Sequence, residues 1–501
     1  MEEGPRMANI HRLTLLRTAV LLVLCAAGCR STKAIRDPEY ARVASAMPLG
    51  QPSPANVAAA TPAPVVELSG PQPVERLVQV ALSQNPDIQA ARKRIEAAAL
   101  MVPVEASLPD PMLGTTAYPA PVQTAAGQQE FSLNVNQKFP LRKKLDVRAG
   151  IAESKADVAR AQYAAIELAT VEQVKLAYYE LYYLQQAIEI TKTEEEELTT
   201  IRDTANARYK ATLTNQQDVL RADLELSNIA NELIRLRQQF DSGQAKLART
   251  LHVSPQTDIM AVPNLSAAAA PRDLDWLEQR AIAARPELHA KLAALERDRR
   301  SAQLARLESI PDLTLGATWI DTASTGISPV ANGRDAVLLT AGVNLPIYRK
   351  RIDSAVRSAE ANAVATARDY DSLRDATLEQ VADLFAKARS EQDLLTLFRE
   401  DILPKARQTL DVSNRAYAVG EVDFLQLIDN FRILLRYEVA YQRLEASFRQ
   451  TVASLERVTG GPLPIMAEGI SSPEPLELNS DEAANDGEPE QPTQLPPPTL
   501  E

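Results

Sequence analysis

Arg415-Ala-Tyr-Ala-Val-Gly-Glu-Val-Asp-Phe-Leu-Gln-Leu-Ile-Asp429 sets a single glycine inside an otherwise unbroken helical pattern. Gly420 suits the left-handed residue that ends a helix. Asp423 suits the N-cap of the next one, with Gln426 three places on completing a capping box. The stretch therefore predicts a reversal between two helices. A related stretch lies about 200 residues upstream, where Arg208-Tyr-Lys-Ala-Thr-Leu-Thr-Asn-Gln-Gln-Asp218 aligns with Ala416–Gln426. Asn215 and Asp218 take the equivalent places, and Thr212 stands where the glycine would be. Asp429 lies two turns into the second helix and is not needed for a cap. A solvated helix face and a functional carboxylate are both open readings for it.

The two turns belong to a larger duplication. Ala81-Leu-Ser-Gln-Asn-Pro-Asp-Ile88 returns as Ala281-Ile-Ala-Ala-Arg-Pro-Glu-Leu288, and Leu108-Pro-Asp110 as Ile310-Pro-Asp312. Phe131–Pro140 returns as Val337–Pro346. A period near 200 residues is far beyond solenoid repeats, so each half is a whole structural unit. The expected organisation is a signal segment at 1–28, a Pro/Ala-rich leash at 29–73, repeats at 74–262 and 263–460, and an acidic, Pro-rich tail at 461–501.

Each half reads as helix, strand, strand, long helix, return helix. From Leu141 to Ser254 there is no proline, and Val171, Val174, Tyr178, Leu181, Leu184 and Ile188 recur at coiled-coil spacing. A helix over 141–209 would span about 100 Å. The second half repeats it from Ile347 to Tyr417, where Pro404 must bend or break it. Three strand segments alternate, Leu313, Leu315, Ala317 and Trp319 against Thr314, Gly316 and Thr318, with similar alternation over Phe131–Asn136 and Val337–Val343, and a fourth, Pro111–Tyr118, alternates poorly. Such segments suit a membrane β-barrel wall. A soluble sheet covered on one face is the alternative. A spanning barrel must close and needs about eight strands or more. Four segments per chain cannot close one, so a spanning sheet requires copies of the chain, most simply in a ring.

Composition agrees with a helical protein: 45% hydrophobic residues and only 17 glycines in 501. The net charge of −12, with no basic face, argues against nucleic acid. Basic residues, a short apolar core and small residues precede Cys29, as in a secretory signal. Leu24-Cys-Ala-Ala-Gly-Cys29 resembles the bacterial lipobox, with Ala26 in place of the usual leucine, which implies lipidation at Cys29. Ordinary signal cleavage with Cys29 a spare thiol is the alternative. Arg30 in place of aspartate then implies outer-membrane delivery.

The lipobox-like cysteine, two repeats of a strand pair with long helices, and the turn at 415–429 resemble the outer membrane efflux proteins, the TolC-like family. The resemblance covers 74–459. It implies a homotrimer with a twelve-stranded barrel in the outer membrane and an α-helical periplasmic tunnel of about 100 Å. It also implies a periplasmic adaptor and an inner-membrane pump as partners. Leu108–Gly114 and Gln137–Leu145 resemble the cobalt-zinc-cadmium and copper efflux branch, which makes metal cations the expected cargo. Matched residue by residue, Asp429 falls on one of the family's periplasmic ring aspartates, Gln426 replaces the other, and Tyr417 matches a tyrosine that helps hold the mouth shut.

Catalysis needs a constellation, and the sequence offers none. The histidines are His11, His252 and His289, with no His/Cys cluster at ligand spacing and no phosphate loop, so neither enzyme chemistry nor a cofactor is expected. Multidrug efflux and a type I secretion outlet remain alternatives of the same structural class. A periplasmic adaptor is the alternative of another class, but it needs Gly-rich β-domains around one hairpin, and this chain has two hairpins.

Overall fold

The computed structural model describes residues 37, 39–40, 68, 70–265, 269–324 and 332–463. The expected signal segment, Cys29 and the tail beyond residue 463 lie outside them. The first half runs β1 (Gly70–Gln72), α1 (Val74–Gln84), α2 (Pro86–Ala106), β2 (Met112–Thr124), β3 (Gly127–Phe139), α3 (Arg142–Lys210) and α4 (Gln216–Leu251). The second runs β4 (Ile259–Ala261), α5 (Leu274–Ala284), α6 (Pro286–Leu307), β5 (Leu313–Ala323), β6 (Ala336–Val343) and α7 (Arg349–Leu397). A π-helical turn, Phe398–Ile402, then leads into α8 (Leu403–Val419) and α9 (Phe424–Val458).

The 69-residue α3 is the spine. It packs along α2 and α6 near its start and along α4 and α9 further on. Pro404 does not break the helix. Proline lacks an N–H and collides with the carbonyl four residues back, and the π turn just before it inserts the extra residue that accommodates both defects.

Four strands form one antiparallel sheet in the order β2-β3-β5-β6, so the central β3–β5 pairing joins the two halves. Leu113, Val135, Ala317 and Leu339 are successive cross-strand neighbours. So are Thr115, Leu133, Trp319 and Val337 on the same face. The opposite face carries Gly114, Asn134, Thr318 and Leu338 and, one rung along, Met112, Asn136, Gly316 and Thr340, so it is smaller and more polar. Both faces are open in the single chain: Leu113 is 49% and Leu339 83% exposed on the apolar face, and Met112 74% and Leu338 44% on the other.

Two further strands, β1 and β4, pair in parallel and bring the described strands to six. They depart from the expected four. Each has only three residues, too few for alternation to register. The Tyr178 hydroxyl ties them to α3, donating to the Gln72 carbonyl at 3.0 Å and accepting from the Val262 N–H at 3.1 Å. Among the described residues no helix is long and apolar enough to cross a membrane.

Candidate functional site

Both helix turns close in the same way. In the second, the Glu421 N–H reaches the Ala416 carbonyl at 2.9 Å around Gly420, whose φ is +88°. In the first, the Leu213 N–H reaches the Arg208 carbonyl at 2.9 Å around Thr212, whose φ is +59°. This is the helix stop that needs a left-handed residue, and threonine holds that conformation at a cost of about 1 kcal/mol. Asn215 caps α4 as expected, accepting from the Gln217 N–H at 3.0 Å.

Asp423 departs from expectation. It occupies the N-cap position of α9, but its side chain makes no cap hydrogen bond, and the box with Gln426 does not form. Both residues are exposed. At so exposed a helix end solvent is an alternative partner for the carboxylate and the first-turn N–H groups, so nothing forces the cap.

The turns are clasped to each other. Beneath them Leu198, Ile201 and Ala205 of α3 pack with Leu410 and Tyr417 of α8 and Phe424, Leu427, Ile428 and Phe431 of α9. Each large side chain buried there contributes about 1.5–3 kcal/mol. Arg208 donates to the Tyr417 carbonyl and, at 2.9 Å, to the Ala418 carbonyl. Its guanidinium stands 4.9 Å over the Tyr417 ring, which meets Phe424 at 5.4 Å. The Tyr417 hydroxyl lies 3.5 Å from Asp218 Oδ2, which also accepts from the Thr214 hydroxyl. Burial, reinforced by the Asp218 charge, pushes the Tyr417 hydroxyl up to about 12, so it stays a donor throughout the physiological range. About two turns further in, Arg432 makes a two-pronged bond to Glu225 at 3.0 and 2.6 Å, holding that carboxyl below its ordinary value.

Of the residues singled out from sequence, Tyr417 and Asp218 come together, with Asn215 and Gly420 shaping the turns beside them. Tyr417 is 2% exposed and is a packing residue as well as a hydrogen-bond donor. Asp429, Gln426 and Asp423 stay outside the clasp, exposed on α9 or at its start. The carboxylate of Asp429 has Arg432 at 3.7 Å. Phe424 is the buried apolar position that the helical spacing after the turn marks, whereas Arg208, Glu225 and Arg432 escaped sequence reasoning. Arg208 aligns with Ala416 and so carries no repeat signal, and Glu225 and Arg432 look like ordinary solvated helix positions.

Higher on α3, Glu194 is 3% exposed and its Oε2 has no hydrogen-bond partner. Burial, then Glu197 and Glu438, push its carboxyl up to about 8 against the opposing pull of Arg407. A carboxyl whose folded value lies above its unfolded one favours the fold only while protonated. Its penalty is absent below about 4.5 and grows as pH rises towards 8. Glu194→Gln is therefore expected to melt near wild type at pH 5 and to be about 3 kcal/mol more stable at pH 8. Thermal unfolding followed by helical circular dichroism at both pH values reads this, and an advantage that does not change with pH would contradict it.

The profile of the outer membrane efflux protein family matches residues 77–251 and 277–461. The cobalt-zinc-cadmium resistance protein CzcC of Cupriavidus metallidurans is 23% identical over 400 residues, spanning 79% of this chain and 91% of CzcC. The pyoverdine export outer membrane protein OpmQ of Pseudomonas putida is 23% identical over 413 residues, spanning 77% of this chain and 86% of OpmQ. The fold matches the outer-membrane channel OprN with a TM-score of 0.67 at 21% identity, over 77% of this chain and 90% of OprN. With both halves matched over most of their length, the chain belongs to the outer membrane efflux protein family, whose members are channels and not enzymes.

Proposed function

We propose that three copies of the chain form the passive outer-membrane exit duct of a tripartite efflux system. The observation that carries this is the sheet: one face is a continuous exposed apolar surface, the other is mostly small and polar apart from Met112 and Leu338, and among the described residues both its edges are unpaired. Three copies carry twelve strands, enough to close a barrel in lipid. The helices then continue the lumen into the periplasm, and the clasped turns form its far end.

The clasp of Arg208, Tyr417 and Asp218 holds that end shut within each copy. An adaptor opens it by engaging the turns, where Leu213 and Val419 stand 67% and 73% exposed. The energy comes from an inner-membrane pump. Cys29 anchors the mature chain to the outer membrane by its lipid, and palmitate labelling that is lost in Cys29→Ser tests this.

Metal cations are the favoured cargo. The likeness to CzcC and the exposed carboxylate of Asp429, repeated by threefold symmetry, support this reading. Asp429→Ala is expected to lower cation over anion selectivity in bilayer recordings by about twofold or more. An unchanged reversal potential would return Asp429 to the solvated face of its helix. Comparing a deletion strain with its parent on zinc, cobalt, cadmium and copper and on antibiotics tests the cargo. Sensitivity confined to antibiotics would favour drug efflux over metals.

A further inference from the structure

Where the sheet meets the helices, the chain contains one complete ionic joint. Lys144, in the first turn of α3, is fully buried. Its ammonium donates to the Ile310 carbonyl at 2.8 Å and to Asp312 Oδ1 at 2.7 Å. Lys138 reaches the other oxygen of Asp312 at 3.0 Å, and the Asp312 N–H donates to Asn344 at 2.5 Å. A basic residue of the first repeat is thus seated in an aspartate socket of the second.

Both halves of this joint have counterparts. Pro311-Asp-Leu-Thr-Leu-Gly316 matches Pro109-Asp-Pro-Met-Leu-Gly114, and Arg142-Lys-Lys-Leu-Asp146 matches Arg349-Lys-Arg-Ile-Asp353. The backbone repeats with the sequence. The Lys144 N–H bonds the Leu141 carbonyl as the Arg351 N–H bonds that of Tyr348, and Leu145 and Ile352 are both buried. Gly114 faces Asn134 as Gly316 faces Thr340. Arg351 is therefore the counterpart of Lys144, and Asp110 that of Asp312. Among the described residues neither Arg351 nor Asp110 makes an ion pair, and both are exposed. They flank opposite edges of a four-stranded sheet, about 14 Å apart at ordinary strand spacing, so they cannot meet within one chain.

We propose that Arg351 of one copy occupies the Asp110 socket of the next, completing between copies the joint that Lys144 and Asp312 make within one. This rests on the assembly read above and specifies its seam. The complementary halves sit at opposite edges of one chain's sheet, the arrangement that closes head-to-tail rings. Carrying the β3–β5 register to the seam sets Val343 opposite Leu113, Gly342 opposite Gly114 and Ala341 opposite Thr115 of the neighbour. That register keeps the apolar face continuous across the joint, whereas a one-residue slip would turn it inward.

The test uses the full-length protein extracted from the outer membrane in mild detergent. Asp110→Arg and Arg351→Asp, each alone, should lower the oligomeric fraction about tenfold, because each sets like charges at the seam. The double exchange should restore it. Separately, Leu113→Cys with Val343→Cys should cross-link neighbouring copies under mild oxidation, and Leu113→Cys with Leu338→Cys should not. This second arm leaves the charges intact, so it reads the seam even where a charge variant misfolds. A wild-type oligomer whose charge variants stay intact, or whose Leu113/Val343 cysteine pair never cross-links, overturns the seam and leaves the assembly standing. A monomeric wild type overturns the assembly itself.

Discussion

Lys144→Ala is expected to destabilise the chain by about 3 kcal/mol, because removing one partner of a buried ion pair leaves the other charge uncompensated. Lys144 is fully buried and its carboxylate partner Asp312 is 5% exposed, so water cannot replace the lost ammonium. Lys138 still touches Asp312 at 3.0 Å, which keeps the loss at the lower end of what such deletions cost. Asp312→Asn should also destabilise, since it strands the Lys144 charge beside the Ile310 carbonyl. Lys144→Ala combined with Asp312→Asn should cost less than the sum of the two single changes, because neither buried charge is left unpaired. Denaturant unfolding followed by helical circular dichroism reads all four proteins. A Lys144→Ala variant within about 0.5 kcal/mol of wild type would show that the joint adds nothing to the fold.

The second large effect concerns the tip. Arg208 supplies two charged hydrogen bonds to the α8 backbone and stacks on Tyr417, together worth about 3–5 kcal/mol. The Arg432–Glu225 pair is partly exposed and is worth about 1 kcal/mol. Their loss in Arg208→Ala with Arg432→Ala should shift a closed-to-open balance by a factor of about a hundred or more. Expected results are a several-fold larger single-channel conductance and a culture newly sensitive to bulky antibiotics. Tyr417→Phe should do less, because it keeps the ring against Phe424 and removes only a 3.5 Å hydrogen bond. Conductance unchanged in the double variant would mean that the closed tip is held by something other than these contacts.

Periodicity was enough to read the long elements. The proline-free run and its apolar spacing together place α3 within a residue of its observed bounds, Arg142–Lys210, and the left-handed residue at Gly420 follows from backbone sterics. Alternation marks three of the strand segments because each side of a sheet faces one environment, and β2, which alternates poorly, is placed by the repeat. Three kinds of feature were not legible. The short strands β1 and β4 exist only because Tyr178 and the flanking helices hold them. The side chain of Asp423 obeys solvent instead of the capping rule, as an exposed helix end permits. The clasp depends on which helix faces which: Arg208 lies at the end of α3 and Tyr417 near the end of α8, 209 positions later. Local pattern cannot carry such a juxtaposition.

The exposed apolar sheet face and the clasped helical tip meet in one prediction, that copies of this chain make a gated pore. Full-length protein purified from the outer membrane and inserted in a planar bilayer tests it most directly. The expected record is discrete, small, cation-selective conductance steps from a detergent-resistant oligomer, growing when Arg208 and Arg432 are replaced. A monomer that inserts without conductance steps, with or without those replacements, would contradict the account.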